Sequence, residues 1–381
     1  MIVGVPTEVK TGEHRVALTP DGVRELTAHG HDVVVQRGAG AGSAIADGDF
    51  SSAGARLGSA DDAWAADLVV KVKEPQSSES AQLRPGQVLF TYLHLAAYPA
   101  VARALLAAGT TAVAYETVQL ASGALPLLAP MSEVAGRMAT QIGAHYLERE
   151  NGGRGVLLGG APGVRPARVV VLGAGNVGWN AAWIAQGMEA EVWLLDRDLD
   201  RLRFVDQIHK GRILTLASNR GAVERAVAEA DLVIGAVLVA GGRAPVIVTE
   251  DMVRAMKGGA VVVDIAVDQG GCIATTRETT HDAPVYEVHG VVHYAVGNVP
   301  GAVPHTSTYA LTNATLPYVL AVAERGLPGA AQADVGLRHG VTTVAGRITN
   351  PVVADALGVE PADPLELLAD AHQATNRPEA R

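Results

Sequence analysis

One cysteine, Cys272, among 381 residues leaves no second thiol for an internal disulfide and no ligand set for a cysteine-based zinc site. That usage suits a reducing compartment, and a cytoplasmic protein is expected. Aromatic residues make up only 4% of the chain, so its cores must be built from Ala, Val, Leu and Ile, which a hydrophobic content of 48% allows. The 30 Lys and Arg are outnumbered by 40 Asp and Glu, and no basic block interleaves with aromatics. Nucleic acid is therefore not an expected partner. Apolar runs are cut by charge or glycine before they reach membrane-spanning length. Met1 leads into a short apolar run at 2–5 with no charged region and long apolar core, so no secretory signal is expected. Of the 12 histidines, none shows a metal-ligand spacing, His281, His289 and His293 included, and no metal is expected.

Glycine, by contrast, is plentiful at 43 residues, and three of them fall in the most informative stretch, 167–196, ARVVVLGAGNVGWNAAWIAQGMEAEVWLLD. Residues 168–172 are a short apolar run that reads as a buried strand. Gly173, Gly175 and Gly178 follow at G-x-G-x-x-G spacing, 181–188 reads as a helix, and a second apolar run, 191–195, ends on Asp196. This is the order of a dinucleotide-binding βαβ unit. The first glycine allows the tight turn, the second lets backbone approach a pyrophosphate, and the third lets helix and strand pack closely. The helix N-terminus offers unbonded N–H groups and a positive dipole end to the anion. Asp196 stands where a carboxylate accepts hydrogen bonds from ribose hydroxyls and repels a 2′-phosphate, which favours NAD over NADP; the adjacent Arg197 weighs the other way. The plainer reading is a strand–turn–helix junction with Asp196 as a capping residue. Agreement of strand, helix, second strand and terminal acid favours the nucleotide.

The nucleotide unit begins near the middle of the chain. Before it, 2–5, 32–36, 68–73, 88–93 and 111–115 read as strands, with helices at 21–29, 49–54 and 100–107. Alternation of this kind implies a mostly parallel sheet covered by helices. Thr19-Pro20 supplies cap and turn chemistry for the first helix. A long helical pattern at 131–150 and a Gly/Pro-rich loop at 155–166 lead into the nucleotide unit. Strands at 231–237 and 260–265 follow, then a long helical pattern at 306–325. The expected architecture is α/β with two Rossmann-like, doubly wound domains. The dinucleotide-binding domain, 128–304, is inserted in a discontinuous substrate domain, 1–127 and 305–381.

Four polar residues stand at strand ends, where ligand crevices form in such sheets: Arg15, Lys73, His94 and Asp268. Arg15 offers a planar fork for a carboxylate, Lys73 can polarise a carbonyl or imine, and His94 suits general acid–base work near neutral pH. Asp268 can hold an ammonium or orient a base. Together they suit a small amino or keto acid beside a nicotinamide. Each also has a structural reading: Arg15 as a surface loop residue, Lys73 as a strand terminus alternating with Lys71, His94 as a satisfied core histidine, Asp268 as a turn cap. Asp264 competes with Asp268 for a catalytic role.

The segments GVPTEVKTGEHRVALTP, KVKEP, TYLHLAA, AYETVQ, LPLLAPMSEVAGRMA, GGRGVLLGG, VVLGAGNVGWNAA, ADLVIGAV, VVVDIAVDQGGC and TSTYALTNATLPYV together resemble the alanine dehydrogenase family, which also includes the NAD-binding subunit of proton-pumping nicotinamide nucleotide transhydrogenase. The resemblance covers nearly the whole chain. It implies a reversible reaction in which L-alanine, NAD and water give pyruvate, ammonium and NADH. By this resemblance Arg15 binds the substrate carboxylate, Lys73 contacts the substrate carbonyl, His94 and Asp268 are catalytic, and Met131 lines the substrate pocket. Ser132 contacts the cofactor, Asp196 binds its ribose, and Asn298 lies in a loop over the nicotinamide, against both substrate and cofactor. The cofactor-contacting set extends to Asn176, Val177, Arg197, Val237, Leu238, Val267 and Val299. A homo-oligomer, typically a hexamer, is implied.

The chain departs from the family's pattern near that loop, where Val299 replaces a usual methionine and Gly297 a usual alanine. Gly12 and Glu13, close to Arg15, stand where an asparagine–glutamate pair is common. These changes leave the polar set intact and bear on strict alanine specificity. The competing readings are a soluble NAD-dependent dehydrogenase or reductive aminase for another small amino or keto acid, a transhydrogenase-like subunit, and a nucleotide-binding regulator without catalysis.

Overall fold

The computed structural model describes residues 1–237, 244–267 and 270–375. The chain divides into two compact units, Met1–Met131 with Val303–Arg381, and Ser132–Ala302. The first unit contains β1 (Ile2–Val5), β2 (Asp32–Gln36), β3 (Arg56–Gly58), β4 (Leu68–Val70), β5 (Val88–Thr91) and β6 (Thr111–Ala114). The second contains β7 (Arg168–Leu172), β8 (Glu191–Asp196), β9 (Ile213–Ala217), β10 (Leu232–Gly235), β11 (Val261–Asp264), β12 (Val285–Val288) and β13 (Val291–Tyr294). The chain then adds β14 (Val341–Val344) and β15 (Arg347–Ile348) to the first unit.

In the first unit, eight strands form one sheet in the order β15-β14-β6-β5-β4-β1-β2-β3. The pairs among β1 to β6 are parallel, whereas β14 is antiparallel to β6 and β15 antiparallel to β14. Every residue of β4 and β6 is buried, the pattern of strands covered on both faces. Strand order reverses between β1 and β4, so the segments leaving those two strands flank the switch point where α/β sheets bind ligands. The helix Pro20–Ala28 starts as its sequence directs: Thr19 Oγ1 accepts the Gly22 N–H at 3.3 Å and Pro20 occupies the first turn. The helix Pro304–Ala333 packs in this unit, where Thr308 Oγ1 accepts the Val16 N–H at 3.1 Å.

The second unit has seven strands in the order β12-β13-β11-β10-β7-β8-β9. All pairs are parallel except the edge hairpin of β12 and β13. Here the order reverses between β7 and β10. Its two core layers consist mostly of Val, Ala, Leu and Ile, as the scarcity of aromatics requires.

Several boundaries differ from the sequence reading, for identifiable reasons. The run 68–73 leaves the ladder at Val70, and 88–93 leaves it at Thr91: Lys71 and Tyr92 still bond across to Phe90 O and Val72 O, but beyond them carboxylates rather than strand carbonyls take the N–H groups of Val72 and Leu93. The nucleotide-unit helix is Asn176–Gly187, starting five residues earlier than its apolar pattern, directly after the second glycine. The helix expected at 131–150 is Ala129–Tyr146, followed by a separate turn of 3₁₀ helix at Arg149–Asn151. The pattern at 306–325 ends where Gly326, at φ 67° and ψ 159°, breaks the helix before it resumes.

Candidate active site and nucleotide site

In the first unit, the chain leaving β1 carries Glu8, Glu13 and Arg15, and the chain leaving β4 carries Lys71, Lys73 and Glu74. Arg15 is buried and held by its neighbour Glu13: Nε donates to Oε1 at 2.6 Å and Nη2 to Oε2 at 2.5 Å. Burial opposes the Glu13 charge, but the Arg15 hydrogen bonds outweigh it and bring this carboxyl down to about 2. Glu13 occupies the Nε/Nη2 edge of the guanidinium, while Nη1 faces Met131 Sδ at 2.9 Å.

The two lysines that alternate in KVKEP differ sharply. Lys71 is fully buried between Glu8 Oε2 at 3.1 Å and Glu79 Oε1 at 2.9 Å. Burial pulls its ammonium down, but these two carboxylates more than offset this and keep it charged. Lys73 is half-buried and has no salt bridge among the described residues. Burial, then the charges of Arg15 and Lys10, hold its ammonium below the usual lysine range. A lysine in that state can give up or accept a proton more readily than a solvated one. Lys71 is therefore structural, and Lys73 is the reactive candidate.

His94 lies just past β5 with φ 47°, a left-handed conformation unusual for a side-chain-bearing residue. Glu116 holds it there: Oε1 accepts the His94 N–H at 2.6 Å, and Oε2 accepts the Leu93 N–H at 3.2 Å. Glu116 Oε1 is also 4.0 Å from His94 Nδ1. The imidazole stacks on Tyr92, with centroids 5.8 Å apart, and Tyr92 donates its hydroxyl to Leu127 O at 2.5 Å. His94 remains 37% exposed, so a substrate or water can reach it. Arg15, Lys73, His94 and Met131 are all in this unit.

In the second unit, the glycine turn has the geometry its spacing implies. Gly173 has φ 102°, and a Cβ on it would lie 2.6 Å from Ala236 O. A Cβ on Gly178 would lie 1.7 Å from Gly173 O, so any side chain there would displace the turn. Gly175 is different: its extended backbone meets only Arg201 Nη1, 3.8 Å from the Cβ position, leaving room for an approaching phosphate. The helix begins at Asn176, with Val177 in its first turn, and Gly175 makes no side-chain cap, so the first N–H groups face the anion position. Gly136 packs at Val177 O, and Ser132 lies one turn before it on the same helix face, toward the start of the nucleotide helix.

Asp196 terminates β8 and is 8% exposed. Oδ2 accepts the Ala174 N–H at 2.6 Å and Oδ1 the Asp198 N–H at 2.8 Å. Each oxygen has a further lone pair for a ribose hydroxyl. Arg197 is exposed; the arginine that reaches Asp196 is Arg201, with Nη1 4.0 Å from Oδ2. The N–H groups at the helix start, the open approach at Gly175 and an acid at the end of β8 all fit NAD.

The rival acid, Asp264, is committed to structure. Oδ1 accepts the Ala266 N–H at 3.0 Å, while Oδ2 accepts the Cys272 N–H at 3.0 Å and the Thr276 hydroxyl at 2.7 Å. Burial raises its carboxyl above the usual range. Asp268 and Leu238 lie outside the described residues. Val237 borders the first glycine, its Cγ2 3.3 Å from the Gly173 Cβ position, and Val267 is buried. Asn298, at φ 59°, precedes the short 3₁₀ turn Val299–Ala302. Val299 packs into the unit's core beside Tyr294 and Val296. Glu8, Glu116 and Arg201 were not singled out from sequence; each is a charged residue without a spacing signature, although Glu8 and Glu116 lie in the GVPTEVKTGEHRVALTP and AYETVQ segments that carry the resemblance.

Among the described residues, no group of three or more His, Cys, Asp or Glu side chains could hold a metal ion, and no helix is long and apolar enough to cross a membrane. Residues 4–135 match the N-terminal domain of the alanine dehydrogenase/PNT family, and residues 139–351 match its C-terminal domain. The chain is 57% identical to an alanine dehydrogenase of Mycobacterium tuberculosis over 97% of its own length and 100% of the relative's. A solved L-alanine dehydrogenase superposes with TM-score 0.92 at 50% identity, covering 94% of this chain and 99% of that one. A transhydrogenase from Sinorhizobium meliloti superposes with TM-score 0.80 at 28% identity, covering 92% of this chain and 99% of that one.

Proposed function

Since the chain belongs to the alanine dehydrogenase/PNT family, we infer that it is an NAD-dependent amino-acid dehydrogenase, converting L-alanine, NAD and water reversibly to pyruvate, ammonium and NADH. Full-length likeness to alanine dehydrogenases carries this reading. The site residues agree with it: a carboxylate-binding arginine, a lysine of lowered pKa and an accessible histidine suit a small 2-amino or 2-keto acid.

The first unit serves as the substrate unit and the second as the NAD unit. Arg15, held in place by Glu13, binds the substrate carboxylate. Lys73 donates a hydrogen bond to the substrate's keto or carbinolamine oxygen, its lowered pKa allowing proton exchange during the reaction. NAD, when bound, supplies the two-electron acceptor for the hydride from the alanine Cα. His94 then takes a proton from the water that adds to the substrate iminium and returns one as ammonia leaves. Asp268 assists as a second proton-handling group. Gly173, Gly175 and Gly178, with the N–H groups at Asn176 and Val177, hold the pyrophosphate, and Asp196 holds the adenosine ribose. Ser132, Val237, Leu238, Val267, Asn298 and Val299 border the rest of the dinucleotide.

A cytoplasmic homohexamer is the assembly and location this reading carries. The deciding experiment follows NADH oxidation by the purified protein with pyruvate and ammonium, with glyoxylate, 2-oxobutyrate and a primary amine as alternative substrates. Fast turnover with pyruvate and ammonium supports the assignment. NADH binding without that turnover moves it to another keto acid, with Gly297 and Val299 as the first positions to revert.

A further inference from the structure

The β1–β4 register joins Val3 to Leu68 and Gly4 to Val69, and goes no further. The next residues of the β4 segment still bond to the β5 side: Lys71 N donates to Phe90 O at 3.1 Å, Tyr92 N to Val72 O at 3.2 Å, and Thr91 Oγ1 to Lys73 O at 2.9 Å. The chain leaving β1 has turned away and offers no carbonyl to the N–H groups of Val72 and Lys73. It offers a side chain instead. Glu8 Oε1 accepts the Val72 N–H at 2.6 Å, and Oε2 lies 3.4 Å from the Lys73 N. The same Oε2 binds the buried Lys71 ammonium, which also binds Glu79. One buried carboxylate thus anchors the side chain of Lys71 and the backbone of the two residues after it.

We propose that Glu8 is a positioning residue for the reaction: its carboxylate continues the sheet where β1 ends and sets the place of Lys73 in the substrate site. This rests on the alanine-deaminating reading. Lys71 and Lys73 would share a face if the strand simply continued, because side chains two apart do. The segment bends instead, burying Lys71 and leaving Lys73 half-exposed, and Glu8 touches the segment on both sides of the bend. Glu8 also sits on the loop that carries Glu13 and Arg15, so the carboxylate-binding and carbonyl-binding groups share one anchor. A displacement of about 1 Å at such a group costs on the order of a hundredfold in rate.

The test compares Glu8→Gln and Glu79→Gln in the reductive assay with NADH, pyruvate and ammonium. Glutamine at position 8 keeps one acceptor oxygen for Val72 but turns an N–H₂ group toward Lys71 and the Lys73 N–H. Glutamine at position 79 weakens the same ion cluster without touching the backbone of Val72 or Lys73. The expected result is a loss of roughly tenfold or more in kcat/KM for Glu8→Gln, carried by KM for pyruvate, with the NADH dissociation constant unchanged. Glu79→Gln is expected to lower the melting temperature while KM for pyruvate stays within about twofold. Equal KM changes in both variants would show that Glu8 matters only through the Lys71 ion pair and would overturn the proposal. So would a Glu8→Gln protein with unaltered KM. Glu8→Asp, which keeps the charge on a shorter stem, covers the case in which Glu8→Gln fails to fold: an unaltered KM there also overturns the proposal. Absence of turnover in the unsubstituted protein would instead count against the alanine reading.

Discussion

Glu116 Oε1 accepts the backbone N–H of His94 at 2.6 Å and lies 4.0 Å from Nδ1 of the same residue. One carboxylate therefore stabilises a left-handed backbone and faces the imidazole it presents. Replacing Glu116 by Ala releases both, and kcat is expected to fall on the order of a hundredfold. NADH binding, which depends on the other unit, should not change. His94→Ala is expected to cost on the order of 10² to 10⁴ in turnover, with NADH binding retained. Steady-state kinetics with a fluorescence titration of NADH decides both.

The Glu13–Arg15 pair makes stability depend on pH in a definite direction. Folding lowers the Glu13 carboxyl from 4.5 to about 2. Its contribution is present above about pH 4.5 and is lost as the pH falls toward about 2, amounting to about 3 kcal/mol. Glu13→Gln should remove this part of the acid limb. Urea unfolding of the two proteins between pH 7 and 3 would reveal it as converging stabilities at the acid end.

Gly175 and Gly178 should respond differently to alanine. At Gly178 the new methyl would collide with Gly173 O, 1.7 Å away, so Gly178→Ala is expected to lower both melting temperature and NADH affinity. At Gly175 the extended backbone accepts a side chain and the nearest atom is 3.8 Å away. Gly175→Ala is expected to leave the melting temperature within about 2 °C and weaken NADH by roughly tenfold, because the methyl occupies the phosphate approach.

Asp196 should govern the choice between the two nicotinamide dinucleotides. Asp196→Asn removes the charge that opposes a 2′-phosphate and leaves Arg201 beside it. The ratio of kcat/KM for NADPH to that for NADH is expected to rise about tenfold. An unaltered ratio would show that neither group meets the ribose.

The nucleotide unit was the most legible part of the sequence because each of its residues answers a local demand: a turn, a close approach, a helix start, an acid at a strand end. The parallel sheet of the first unit was legible from apolar runs. β3, with three residues, has no such run, the ILTLA run of β9 is short and partly exposed, and β14, with β15 beside it, gains its pairing from chain hundreds of residues away. Lys71 and Lys73 could not be separated, since the difference lies in which carboxylates fold back onto them. Glu8 and Glu116 escaped for the same reason: an acid that replaces a missing strand acceptor looks in sequence like any loop acid.

The order of synthesis treats the two units unequally. Ser132–Ala302 is one continuous piece and can fold as soon as it leaves the ribosome. The first unit must wait: β6 has no partner on its outer side until β14, from residue 341 onward, and Val16 meets Thr308 across 292 residues. During that interval an exposed strand edge is held in an unfinished sheet. A chain truncated after residue 310 and released should therefore yield a protease-resistant second unit and a digestible first one. The segment made earliest is expected to be the last to become safe from aggregation.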